Sequence, residues 1–84
     1  MEKLIDTFKK NEIEEVRTQL TEYKGYNLVD IRVWFTAEGK EPRPTRKGIT
    51  LTRELLPDLE RAIRKAVKEA GKSQEKGPEK RGER

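Results

Sequence analysis

The chain has no cysteine and no histidine, a single methionine, a single tryptophan and few aromatic residues of any kind (6%). Without thiolates or imidazoles it has no cysteine nucleophile, no imidazole acid–base chemistry, no Cys/His zinc site and no disulfide-stapled secreted fold. Long hydrophobic runs are missing too. The longest apolar stretch is Val33-Trp34-Phe35, far short of the roughly 20 residues that cross a bilayer. The opening residues Met1 to Asp6 lack the hydrophobic region of a signal peptide. These absences lead to the expectation of a soluble, intracellular protein, in cytoplasm or nucleoid or in a eukaryotic nucleus, with no membrane partner. The carboxylates show no spacing that sets two of them across a cleft. The chain is therefore not expected to be an enzyme, and no cofactor, metal or small-molecule substrate is expected.

What the chain does have is charge: 20 Lys and Arg against 16 Asp and Glu, for a net +4 over 84 residues. Its distribution is more informative than its sum. Residues 1–22 carry −2, 23–39 and 54–70 are neutral, 40–53 carry +4 and 71–84 carry +2. The last of these segments contains no apolar residue and cannot bury enough surface to offset its ordering entropy, so 71–84 reads as a disordered charged tail. Residues 1–70 then form the one folded domain. A core drawn from so short a chain contributes only a few kcal/mol, so a homodimer is expected.

From Ile13 to Tyr23, Val16, Thr18 and Leu20 alternate with Arg17, Gln19 and Thr21, a period of two. Lys24-Gly25 interrupts, and Tyr26 to Phe35 follows as the strongest strand signal, so the two runs read as a hairpin. In the second run Val29, Ile31, Val33 and Phe35 share a face that reads as core. Tyr26, Leu28, Asp30, Arg32 and Trp34 share the other, a mixture of rings and charges suited to contact. Pro42 and Pro44 require an extended segment at a sheet edge, and Lys47 to Leu51 reads as a short final strand.

After Thr52 the period becomes helical, with Leu55, Leu59, Ala62, Ile63, Ala66, Val67 and Ala70 on one stripe. Thr52 is the candidate N-cap and Gly71 the candidate stop, with the regular helix starting either after Thr52 or, following a looser turn, at Pro57. Residues 1–12 fit a helical turn, a strand or an arm. The order β-β-β-β-α predicts an α+β architecture, an antiparallel sheet followed by one C-terminal helix.

Ala70-Gly71-Lys72-Ser73 mimics the end of a phosphate-binding loop, but position 66 is Ala inside a helical pattern and no strand precedes it, so the cradle is absent. Asp30 and Arg32 read either as a structural ion pair or as a carboxylate that aims a guanidinium fork at a phosphate. Lys40, Arg43, Arg46 and Lys47, stiffened by prolines and adjacent to Tyr23, Tyr26, Trp34 and Phe35, combine cations with stackable rings. That is what sequence-tolerant binding of single strands requires.

Two separated signatures, Tyr23-Lys24-Gly25-Tyr26-Asn27-Leu28-Val29-Asp30-Ile31-Arg32 and Pro44-Thr45-Arg46-Lys47-Gly48-Ile49-Thr50-Leu51, resemble the positive cofactor four family of transcriptional coactivators over roughly Phe8 to Ala66. The resemblance implies a curved four-stranded antiparallel sheet and one helix, assembled as a homodimer with the helices at its centre. It also implies single-stranded or melted DNA as ligand and the transcription machinery as partner. By position it implies Tyr23 and Phe35 as base platforms and Lys24, Arg32, Arg43, Arg46 and Lys47 on the backbone. Glu14, Glu15 and Val16 stand where family members commonly carry basic residues, and Tyr26 stands where they carry Lys. Alternation favours Trp34 over Phe35 as the exposed ring, unless a one-residue bulge exchanges them. The alternatives are a protein-interaction adaptor of the transcription machinery with incidental DNA binding, and RNA binding.

Overall fold

In the computed structural model, which describes residues 2–73, the alternating run before Lys24 and the β-branched run after Gly25 pair along their whole length. They form β2 (Glu14–Tyr23) and β3 (Tyr26–Phe35), in register from Tyr23 opposite Tyr26 to Glu14 opposite Phe35. The turn between them holds Lys24 at φ 51° and Gly25 at φ 85°. Two consecutive positive φ angles belong to the tight hairpin turn whose twist matches that of its strands. Gly25 takes that conformation without strain, whereas Lys24 takes it against the steric preference of an L-residue.

β1 (Lys3–Lys9) pairs with β2 and β4 (Arg43–Thr52) with β3, giving one curved antiparallel sheet in the order β1-β2-β3-β4. The α+β architecture read from the sequence is thus observed. Residues 1–12, legible as helix, strand or arm, supply the first strand. β4 is longer than the expected Lys47–Leu51, and it is an edge strand, as Pro44 requires.

A single 3-10 turn (Arg53–Leu55) leads into α1 (Leu56–Ser73). Pro57 is therefore the second residue of α1, where its missing N–H costs nothing. Two expectations fail here. Thr52 makes no capping hydrogen bond, because the 3-10 turn separates it from the helix proper. Gly71 does not stop the helix, which runs on to Ser73. Residues 74–84, most of the segment read as a tail, lie outside the described residues.

The register puts Val16, Leu20, Val29, Ile31, Val33, Phe35, Ile49 and Leu51 on one face of the sheet. Among the described residues only Val29, 1% exposed, is buried; Ile31, Val33 and Phe35, read as core, are half-buried. The reason is that no second layer covers them. α1 makes little contact with the sheet: Leu56 and Leu59 near its start are half-buried, while Ile63 and Val67 are exposed at 55% and 66%. The radius of gyration, 15.2 Å, exceeds the about 11 to 12 Å of a compact chain this size. No helix of the described residues is long and apolar enough to cross a membrane.

Candidate functional site

The opposite face of the sheet carries its polar chemistry, arranged in cross-strand rows by the hairpin register. Glu15 lies opposite Trp34, Arg17 opposite Arg32, Gln19 opposite Asp30 and Tyr23 opposite Tyr26.

Arg32 is the hub of this face. Its Nε donates to Asp30 Oδ2 at 3.1 Å and its Nη2 to Asp30 Oδ1 at 2.8 Å, a two-pronged grip, while Nη1 donates to the Thr45 carbonyl at 3.0 Å. The Thr50 hydroxyl donates to Asp30 Oδ1 at 2.7 Å. Burial pushes the Asp30 carboxyl up, but the hydrogen bonds from Arg32 and Thr50, with the guanidinium charge, outweigh it and hold the group below its ordinary value. The hydrogen bond from Asp30 raises Arg32 further above its already high value. Room for this arrangement comes from Gly48, directly opposite Arg32: a Cβ there would stand 2.6 Å from the Ile31 carbonyl oxygen and 2.9 Å from Arg32 Cα. The Gly in Lys-Gly-Ile thus permits the close approach of two backbones.

Beyond Gly48 the β3–β4 register shifts, so that Thr45, Arg46 and Lys47 are all accommodated opposite Val33. Thr45 fixes this irregular stretch by donating from Oγ1 to the Val33 carbonyl at 2.8 Å and accepting from the Lys47 amide at 3.1 Å. The bulge lies in β4 and the β2–β3 register is unbroken, so Trp34 and Phe35 are not exchanged. Trp34 shares the face of Arg32 and Phe35 that of Val29.

The expected site residues fall into three groups. At the hairpin tip Tyr23 and Tyr26 are 61% and 65% exposed, with Lys24 Nζ 5.3 Å from the centre of the Tyr23 ring. Along the β4 edge Arg43, Arg46 and Lys47 are exposed, with Lys40 in the loop before them. Among the described residues only Lys47 of these four approaches a carboxylate, Glu14, at 4.0 Å. Phe35 lies opposite Arg43, and the two line a shallow recess with Pro44 and Thr45. Arg32 and Trp34 occupy the middle of the polar face. Trp34 is not the open ring that alternation suggests: it is half-buried, the Arg17 guanidinium lies 4.2 Å above it, and its Nε1 is buried without an acceptor.

Arg17 is the residue that sequence reading passes over. It sits in the acidic segment 1–22, and its two neighbours on this face, Trp34 and Arg32, are distant in sequence. Counting back through the two-residue turn from Tyr23 and Tyr26 would have set it opposite Arg32. Glu14 holds the β1–β2 turn. It accepts from Asn11 Nδ2 at 2.7 Å and Lys10 Nζ at 3.0 Å, and these hydrogen bonds keep its carboxyl below the ordinary value. Among the described residues no cluster of side chains has the makings of a metal site.

The family described as Transcriptional Coactivator p15 (PC4) matches residues 10–62. The RNA polymerase II transcriptional coactivator KELP of Arabidopsis thaliana is 41% identical over 56 residues, 58% of this chain and 33% of that protein, so the chain spans about a third of the length of this curated relative. A PC4 homolog from Burkholderia pseudomallei has a similar structure, with a TM-score of 0.72 at 28% identity over 77% of this chain and 88% of that one. A bacteriophage T5 homolog of PC4, implicated in recombination-dependent DNA replication, shares the fold at a TM-score of 0.60 and 22% identity, over 87% of this chain and 81% of that one.

Proposed function

The chain belongs to the Transcriptional Coactivator p15 (PC4) family, and from that premise we propose that it is a homodimeric, sequence-tolerant binder of single-stranded or melted DNA, serving transcription as a coactivator or regulator inside the cell. The observation that carries the reading is the combination of exposed Tyr23 and Tyr26 at the hairpin tip with a β4 edge of Arg43, Arg46 and Lys47. Rings without a hydrogen-bonding frame stack on any base, and cations at a sheet edge follow the phosphates between them. The nine residues from Tyr26 to Trp34 span roughly 26 Å along β3, room for several nucleotides. Phe35, although on the face of Val29, lines a recess at the β4 edge with Arg43 and offers a further ring and charge there. Support for the homodimer is the uncovered apolar face together with the uncovered stripe of α1: a second copy supplies the missing layer for both.

Titration with oligo-dT and with duplex at two salt concentrations tests this. Tighter binding to the single strand is expected, with log affinity falling against log salt by about 0.7 for each phosphate neutralised. Equal or tighter duplex binding sinks the reading. Changing Arg46 and Lys47 together to Glu is expected to reduce oligo-dT affinity at least tenfold without altering the fold.

A second reading has its own observation. β1 is the other edge of the sheet, and Leu4, Ile5 and Phe8 on it are 50%, 50% and 57% exposed. Such an edge suits strand addition by a protein partner, which fits an adaptor of the transcription machinery. Recruitment that survives the Arg46/Lys47 reversal would favour it.

A further inference from the structure

We infer that Arg17 is a placeholder on Trp34: it covers the indole in the free protein and exchanges places with a base when a strand binds, taking up a phosphate as it leaves. This inference rests on the single-strand reading above and adds a contact and a ring to it.

Two ion pairs on the polar face share one pattern. Glu15 and Arg17 on β2 are two residues apart and hydrogen-bonded, as are Asp30 and Arg32 on β3, and the register sets the two guanidiniums directly opposite each other. Like charges in opposed positions repel, so the centre of the polar face is a place where a phosphate between them replaces repulsion with attraction, and Arg planes grip phosphate well. The two arginines are held very differently. Arg32 bonds a carboxylate with both prongs, a backbone carbonyl and a hydroxyl. Arg17 has one hydrogen bond, from Nε to Glu15, and rests its guanidinium on a ring. Arg32 is anchored and Arg17 can leave.

What Arg17 covers also points to a ligand. The Trp34 indole N–H is buried with no acceptor, a donor left unsatisfied in the free protein. The π-face occupied by the guanidinium is the surface on which a base stacks. A nucleotide suits the ring face and the opposed arginines at once, its base on Trp34 and its phosphate between Arg17 and Arg32. The exchange replaces one cation–π contact and one weakly held ion pair with a stack and a charge-assisted contact. Glu15, left without its partner, opposes the swap and sets how readily it occurs.

Trp34 is the only tryptophan, so its emission reports this site alone. In the wild-type chain, saturation with oligo-dT is expected to quench Trp34 emission. Arg17→Ala is expected to make Trp34 more accessible to a neutral quencher before DNA is added. It should retain the quenching by oligo-dT and make the log affinity–log salt slope shallower by about 0.7, one phosphate contact. Glu15→Gln, which loosens the clamp and removes a negative charge, is expected to bind oligo-dT about 2- to 5-fold more tightly. Should Arg17→Ala not fold, Arg17→Met keeps an apolar stem over the ring, and the same loss of slope is read from it. Binding of oligo-dT with Trp34 emission unmoved, or an unchanged slope in the Arg17 variants, makes Arg17 a fixed cover and overturns this inference while leaving the single-strand reading in place. Failure of the wild-type chain to bind oligo-dT at all removes both.

Discussion

The two faces of the sheet solve the same problem differently. On the polar face almost every charged group is satisfied within the chain: Asp30 by Arg32 and Thr50, Glu15 by Arg17, and the irregular part of β4 by Thr45. On the apolar face a single side chain, Val29, is fully buried, and the stripe of α1 that continues this chemistry points away from any partner. Hydrogen bonds close over one or two strands, whereas a hydrophobic layer needs a second layer opposite it. One face is thus completed within one chain, and the other is left open by it.

The largest effect expected from this contrast comes from attacking the unfinished face. Ile63→Asp puts a charge into the stripe that a second copy is proposed to cover. It is expected to cost about 4 kcal/mol or more and to abolish the dimer in sedimentation, while an unchanged dimer would mean that the faces are not complementary. Next is Gly48→Ala, which pushes a methyl group into the backbone beneath Arg32. A loss of about 2 to 3 kcal/mol in chemical unfolding is expected, together with weaker DNA binding.

Asp30→Asn tests how much the closed polar network contributes, and the expected loss is about 1.5 to 2 kcal/mol near neutral pH. The same group sets an acid limit. Its ordinary value is 3.8 and its folded value is lower, so between the two the unfolded chain binds more protons. The contribution of Asp30 is therefore complete above pH 3.8 and is lost as the pH falls through the folded value. Unfolding followed at several pH values should show this decline in the wild type and a flatter curve in Asp30→Asn.

The smallest effect belongs to Lys24→Asn. Asn tolerates the positive φ that Lys24 adopts, so stability is expected to rise by about 0.5 kcal/mol while oligo-dT affinity falls for want of the cation beside Tyr23. A gain in both would show that Lys24 contributes nothing to binding.

Much of this contrast was legible in the residues. The unbroken period of two through Tyr26–Phe35 gives the faces their identity, and the Lys24-Gly25 turn fixes the register between β2 and β3. β1 was not legible because its register shifts between Leu4 and Asp6: one residue beyond strict alternation spoils a period in a segment of seven. The cap at Thr52 and the stop at Gly71 were misjudged because a cap depends on the local turn, which no residue type specifies by itself, whereas the looser turn before Pro57 is what the 3-10 turn supplies. The cationic edge and the hairpin rings were evident from composition and spacing, while the cover on Trp34 was not. It depends on one rotamer of a residue seventeen positions away, and only the register brings the two together.

The cationic edge of β4 has one more consequence. Pro44 has no amide hydrogen to offer another strand, and the bulge at Thr45 to Lys47 kinks the line a neighbour would have to follow. The segment proposed to gather phosphates is therefore also a terminator: sheet growth from chain to chain, the route to fibres, ends at this edge, and like charges on a second copy reinforce the stop. Crowding many such proteins along one exposed strand can then proceed without their fusing into an aggregate on that side.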